Sequence, residues 1–153
     1  MAGPCRLRPA TPADARAIAA LERQTFSDPW SSESIRESIQ MPWMFTHVAE
    51  DDAGAVAGYV FCREIAGESE LLNLAVAEGR RRGGVGRELL AAALAWADAR
   101  GARETFLEVR ASNHAAIRLY EEAGFRAVGR RPDYYQRPLE DAILYRRPSV
   151  GPA

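Results

Sequence analysis

The chain reads as a single-domain α/β protein built on one mixed sheet. Three observations predict this. Its 153 residues, 47% of them hydrophobic, suffice for one domain with a sizeable core. Strand-like runs alternate with helically periodic segments in the order β-α-α-β-β-β-α-β-α-β-β. No repeat, low-complexity tract or linker interrupts them, so the domain is expected over residues 1–147, with 148–153 as a short tail that frays.

Residues Cys5 to Arg8 read as a short strand. A helix then starts with Thr11 as N-cap, Pro12 at the first helical position and Asp14 in the first turn, and buries Ile18, Leu21 and Ala17. The stretch Phe26-Ser27-Asp28-Pro29-Trp30 breaks it. Ser31 or Ser32 caps a second helix with Ile35 and Ile39 four residues apart. Phe45 to Glu50 and Ala55 to Ile65 form a hairpin around Asp51-Asp52-Ala53-Gly54, and Glu70 to Val76 is a further strand. Helical spacing of Val85, Leu89, Ala92 and Trp96 predicts a helix from about Gly84 to Ala99, closed by Gly101. A strand over Thr105 to Val109 follows, then a helix from Asn113 to Ala123 stopped at Gly124, with Phe125 as the apolar contact after the cap. Two last strands, Phe125 to Gly129 and Ala142 to Arg146, flank a polar loop containing proline.

Composition excludes several chemistries. All 20 basic residues are arginine, which removes a P-loop and lysine Schiff-base catalysis. Two distant cysteines, Cys5 and Cys62, give no disulfide framework or paired metal ligands, and with two histidines no metal site is expected. A net charge of −1 does not fit direct nucleic-acid binding. The first residues, MAGPCRLRPATPAD, form no apolar signal segment, and no run approaches the ~18 apolar residues of a membrane span, so a cytoplasmic location is expected. Oligomeric state is not encoded in any motif.

The stretch RRRGGVGRELL, Arg80 to Leu90, follows a strand and opens a helix. Helix N-termini present unpaired amide hydrogens and partial positive charge, and glycine lets an anion approach closely. Gly83, Gly84 and Gly86 therefore suit a pyrophosphate. The dinucleotide fingerprint is not met, because Leu89 stands where its third glycine belongs. Taken alone, the stretch is equally an ordinary exposed turn.

The neighbouring segments add a resemblance. RxxGxG from Arg81 to Gly86, preceded by NLAV (Asn73 to Val76), resembles the acetyl-CoA site of the GNAT acetyltransferase superfamily. LEVRASN, then AIRLYEEAGF, is similar to its ribosomal-protein alanine N-acetyltransferase group, as are FSDPWS (Phe26 to Ser31) and DYYQRPLEDAI (Asp133 to Ile143). The resemblance implies the GNAT fold and acetyl transfer from acetyl-CoA, without a metal, to the N-terminal α-amine of a protein. The implied partner is a small-subunit ribosomal protein beginning with alanine. Two alternatives stand beside it: acetylation of lysine or a small amine, and non-catalytic acyl-CoA binding.

Residue by residue, the resemblance implies a cofactor site from Leu74, Ala75 and Val76, whose backbone near Ala75 and Val76 polarises the thioester carbonyl. Arg81, Arg82, Gly83, Gly84, Val85, Gly86 and Arg87 cradle the pyrophosphate. Asn113 also contacts the cofactor, while by itself it reads as a helix cap. Of the arginines, Arg80 and Arg82 otherwise read as solvated charge. Glu108 is the implied general base, although an arbitrary glutamate at a strand end is usually just surface charge. A carboxylate of ordinary pKa, ~4.3, is a weak base, which suits an α-amine near ~7.7–8.0 better than a lysine near ~10.4. Tyr120 is the implied general acid, with core packing beside Ile117 as the other reading. Direct attack in a ternary complex leaves Cys62 as a small buried residue and not a nucleophile. Trp30, Tyr134 and Tyr135 line the substrate side, Trp30 serving equally well as a staple to the core. Glu140 and Asp141 are placed to attract a basic residue of the substrate.

Overall fold

The computed structural model describes residues 4–150. Among these residues, seven strands form one sheet in the order β1-β2-β3-β4-β5-β7-β6. They are β1 (Arg6–Pro9), β2 (Met44–Glu50), β3 (Val56–Ile65), β4 (Glu68–Val76), β5 (Glu104–Arg110), β6 (Arg126–Tyr135) and β7 (Glu140–Pro148). Four α-helices among the described residues, α1 (Ala15–Thr25), α2 (Ser32–Ile39), α3 (Val85–Ala99) and α4 (His114–Glu122), intervene in the expected order. All neighbouring strands run antiparallel except β4 and β5.

The helices cover both faces of the sheet, and the central strand records it. Along β3, Tyr59 and Phe61 point into a core with Ile18 and Ala19 of α1 and Ile35 of α2. Val60 and Cys62 point into a second core with Leu89, Leu90 and Ala93 of α3. This is the period-two alternation of a strand buried on both sides. Helix α3 lies close to the sheet at Gly58, where a Cβ would stand 3.0 Å from Ala75 O and 3.2 Å from Leu89 Cδ1.

Helix starts follow the sequence signals. The Asp14 carboxylate accepts the Thr11 N–H at 2.8 Å, and a 3₁₀ turn over Pro12–Asp14 leads into α1. Ser31, not Ser32, caps α2, its Oγ accepting the Ser34 N–H at 3.1 Å. Some expectations shift. The stripe of α3 is Val85, Leu89, Leu90, Ala93, Leu94 and Ala97, while Ala92 and Trp96 pack on its flank. Similarly, Ala17 is exposed, and Ala15 and Ala19 take the inner face of α1. Strand β4 begins at Glu68 because Ala66 and Gly67, with φ of 54° and 84°, turn β3 tightly into it. Strand β6 extends through the predicted polar loop to Tyr135. Its Pro132 is tolerated because β6 is an edge strand interrupted by bulges. The sheet also passes the expected domain end: β7 closes at Pro148, and Ser149 N–H donates to Arg103 O at 2.9 Å. Residues 151–153 of the expected tail lie outside the described residues.

Candidate active site

The site arises where the sheet splits. Parallel pairing of β4 with β5 is limited to Glu68–Glu104, Ser69–Thr105 and Glu70–Phe106. Beyond Glu70, β4 stays with β3 and β5 stays with β7, so a gap opens between their C-terminal halves. Leu74, Ala75 and Val76 line one wall, and Glu108 and Arg110 stand on the other strand. Ala77 N–H donates to Ala57 O at 2.7 Å, and Ala75 pairs with Tyr59. By alternation the N–H groups of Leu74 and Val76 face the gap. The amides of Leu74 and Val76 are thus not used in pairing with β3, whereas Ala75 is committed to β3 through its backbone and buried on the α1 side.

The glycine stretch stands at the end of this wall. Gly84 is the N-cap of α3 with φ of 86°, and no side chain among the described residues caps the helix. The amides of Val85, Gly86 and Arg87 therefore lack intrahelical acceptors. No heavy atom lies within 4 Å of a Cβ built at Gly84, and Gly83 and Gly86 meet nothing closer than 3.5 Å. An open cleft of about 400 Å³ beside the loop is lined by Arg80, Arg81, Arg82, Gly83, Val85 and Cys5. Arg81 Nε donates to Val76 O at 3.1 Å, fastening the loop to the end of β4. Arg82 is exposed, with φ of 70°. Arg80 is not merely solvated: it forms an ion pair with Asp51 at 3.3 Å. Arg87 pairs with Glu122 of α4 at 3.1 Å, and the Val85 side chain is buried, so Val85 offers a ligand only its backbone. Asn113 Oδ1 caps α4 by accepting the Ala116 N–H at 3.2 Å; its NH₂ remains a donor group.

Glu108 shares a face of β5 with Phe106 and Arg110, opposite the buried Leu107 and Val109. One oxygen, Oε1, lies 3.4 Å from Arg131 Nε. The other, Oε2, is buried and accepts no hydrogen bond among the described residues. A buried carboxylate oxygen without a donor is costly, and it marks where an incoming N–H group would be accepted. The Tyr134 phenol stands near Glu108, whose acceptor oxygens, then partial burial and the negative charge, raise its pKa. Tyr135 packs edge-on against Tyr134, with 5.0 Å between centroids, and burial pushes its phenol up to about 12. Tyr120 is 8% exposed and packs edge-on against Phe125 at 5.9 Å. Burial, then the neighbouring Tyr135, hold its pKa well above the phenol range, so it keeps its proton at neutral pH.

Trp30 is a staple: its ring stacks on Phe61 at 5.4 Å and 23°, while its backbone N–H donates to Glu22 Oε1 at 3.3 Å. Glu140 and Asp141 do not present free charge to a substrate. Glu140 accepts the Ser112 N–H at 2.6 Å and pairs with Arg110, and Asp141 accepts Arg130 Nε and the Asp133 N–H. Cys62 is buried against Ser69, and its thiol is pushed up to about 11, which removes it as a thiolate nucleophile. No group of three or more histidine, cysteine or acidic side chains is placed to hold a metal among the described residues. Likewise, no described helix is long and apolar enough to cross a membrane.

Sequence reasoning missed one polar centre. Glu22 is 0% exposed. It accepts Tyr59 Oη at 2.5 Å, Asn73 Nδ2 at 2.7 Å and the Trp30 N–H, joining α1, β3, β4 and the loop after α1. The signal was present: Glu22 continues the buried i, i+3, i+4, i+7 stripe of Ala15, Ile18 and Ala19. Asn73 is the first residue of the NLAV segment, so this centre supports the wall of the gap.

A sheet opened between two parallel strands, beside an uncapped glycine-rich helix start, offers the slot and the anion site that an acyl-CoA-dependent transferase needs. Residues 15–125 match the acetyltransferase (GNAT) family, and the chain belongs to that family. It is 32% identical over 130 residues to the [ribosomal protein bS18]-alanine N-acetyltransferase of Escherichia coli strain K12, covering 84% of this chain and 86% of that protein. It is 34% identical over 149 residues to the N-alpha-acetyltransferase RimI of Mycobacterium tuberculosis, covering 94% and 92%. The crystal structure of the ribosomal-protein-S18-alanine N-acetyltransferase from Escherichia coli superposes with a TM-score of 0.87 at 29% identity, over 97% of this chain and 96% of that one. Ard1 from Thermoplasma volcanium superposes at 0.86 with 26% identity, over 95% and 98%. Acetyl-CoA is the acetyl donor of this family. The open glycine turn and the unpaired amides of α3 fit its pyrophosphate.

Proposed function

We propose that the protein acetylates the N-terminal α-amine of a protein, specifically an N-terminal alanine of a small-subunit ribosomal protein, in the cytoplasm where such proteins are made. The observation that carries this reading is the buried Glu108 Oε2, without a hydrogen-bond partner among the described residues, on the part of β5 that has parted from β4. The names of relatives matched over most of the chain support the substrate class.

In this reading, acetyl-CoA supplies an activated thioester. The amides from Arg81 to Arg87 hold its pyrophosphate, with Arg81 and Arg82 adding charge and Asn113 donating from the start of α4. The Val76 and Leu74 N–H groups receive the carbonyl oxygen and stabilise negative charge as it develops there. The α-amine nitrogen attacks the carbonyl carbon. Glu108 accepts a proton from that nitrogen, directly or through one water, and the carbon–sulfur bond breaks. Tyr120 gives its proton to the departing sulfur. Tyr134 and Tyr135 both lie near Glu108, and Tyr135 also lies near Tyr120; with the Trp30 loop they border the substrate entrance.

The test is acetyl-CoA turnover on intact ribosomal proteins and on a peptide panel, with the acetyl group located by mass spectrometry. N-terminal alanine peptides should be preferred. Faster turnover of lysine side chains or polyamines would overturn the substrate assignment, and binding of CoA without turnover of any amine would overturn the catalytic one.

A further inference from the structure

Arg110 lies two residues beyond Glu108, on the same face of β5. Its guanidinium reaches three separate segments. Nη2 donates to Ser27 Oγ at 2.8 Å and to Gln136 O at 3.0 Å. Nη1 donates to Pro138 O at 3.0 Å and to Glu140 Oε1 at 3.2 Å. Its Cζ stands 4.5 Å from the centroid of the Tyr135 ring. Ser27 belongs to the α1–α2 loop, and Gln136 and Pro138 belong to the β6–β7 loop, so one side chain gathers both around the strand that carries Glu108.

The other ties between these loops are weak. Ser27 Oγ donates to Gln136 O at 3.2 Å on the surface. Asp28 pairs with Arg137, but both side chains are more than 60% exposed, where water screens the pair. Arg110 is only 22% exposed and stacks on an aromatic ring. Its planar fork can serve four acceptors at once; a lysine ammonium, a point donor, cannot span them.

We propose that Arg110 is a positioning residue that clasps the α1–α2 and β6–β7 loops together beside Glu108. It thereby sets the width of the groove through which a peptide N-terminus reaches the base. The inference rests on the peptide α-amine reading above. Loops ordered before binding leave less conformational freedom to lose when the peptide enters. The clasp acts on a chain that fills the groove, and does not act on the cofactor.

The test compares wild type with Arg110→Ala and Arg110→Lys by hydrogen exchange and by kinetics. Amide exchange in residues 26–31 and 136–139 should accelerate together, by about tenfold or more in Arg110→Ala. The KM for an N-terminal alanine decapeptide should rise about tenfold in both variants. The KM of acetyl-CoA and the turnover of alaninamide, too short to fill the groove, should stay within about twofold. A purely structural role would instead lower the melting temperature and worsen every constant together. Unchanged exchange in the two loops overturns the clasp, as does wild-type peptide KM in Arg110→Lys. If wild type does not turn over the decapeptide, the peptide reading falls, and the exchange data still decide the clasp.

Discussion

Replacing Glu22 by alanine tests how the substrate loop and the wall of the gap are held. The carboxylate serves three donors: the Tyr59 hydroxyl, the Asn73 amide and the Trp30 N–H. Each buried donor left without an acceptor costs about 1–3 kcal/mol. Tyr59 is fully buried and bears the largest share, while Asn73 and Trp30 are partly accessible and recover some hydrogen bonding from water. Against this, alanine removes a carboxylate whose desolvation outweighs its donors and holds its pKa above the ordinary range. The net loss should be about 2–4 kcal/mol, which in a domain of this size lowers the melting temperature by about 10 °C. Urea denaturation at several pH values measures it. Glu22→Gln should be milder and should show the sign of the linkage. A carboxyl with raised folded pKa contributes stability that is complete below the unfolded value, ~4.3, and is lost as pH rises through the folded value. The glutamine variant cannot ionise, so it should gain on wild type as pH rises above ~4.3. Glu22→Ala combined with Tyr59→Phe should destabilise by less than the sum of the single changes, because Phe brings no donor to orphan. The reasoning fails if Glu22→Ala lies within about 1 kcal/mol of wild type, or if the two changes are additive.

Tyr120→Phe should lower kcat by about 10²–10⁴ if the phenol protonates the leaving sulfur. Glu108→Gln should also lower kcat, with the deficit widening below the α-amine pKa of ~7.7–8.0, where more substrate must lose a proton. Losses below a few-fold in both variants would remove these assignments. A bulky residue at Gly84 or Gly86 should raise the KM of acetyl-CoA more than that of peptide, since Gly84 holds a left-handed φ in open space and Gly86 lies in the first turn of α3, where a Cβ already meets Leu119 and Val76 at 3.6 Å; the reverse pattern would move the cradle elsewhere. Arg8 Nη1 and Nη2 bind Asp14 at 2.8 and 2.9 Å and hold its pKa below the carboxylate range. That stability is present above the unfolded pKa of ~3.9 and disappears as pH falls through the folded one. Arg8→Met should therefore lose about 1 kcal/mol at pH 7 in urea melts and almost nothing near pH 2.

The sequence by itself determined the element order, because helical and strand periodicities, caps and glycine stops are local. Thr11 and Asp14, Ser31, and the Asn113–Gly124 helix act within a few residues of chain. It also singled out Glu108, Tyr120 and the glycine turn as candidates, since ordered motifs tie residue identity to position, and the variants above test their roles. Where a local signal was missing, the reading fell short. Ala66 takes a left-handed turn usually given to asparagine or glycine, and Pro132 sits inside a strand only because that strand is at the edge. Tertiary structure alone decided what meets across long stretches of chain. It separated β4 from β5 after three residue pairs and turned Val76, not Ala75, toward the opening. It also closed Glu22 on three elements, occupied Glu140 and Asp141 with internal partners, and brought Ser27 and Gln136 onto Arg110. Hydrogen-bond satisfaction in a folded interior depends on which segments the sheet order places side by side, and no local pattern specifies that.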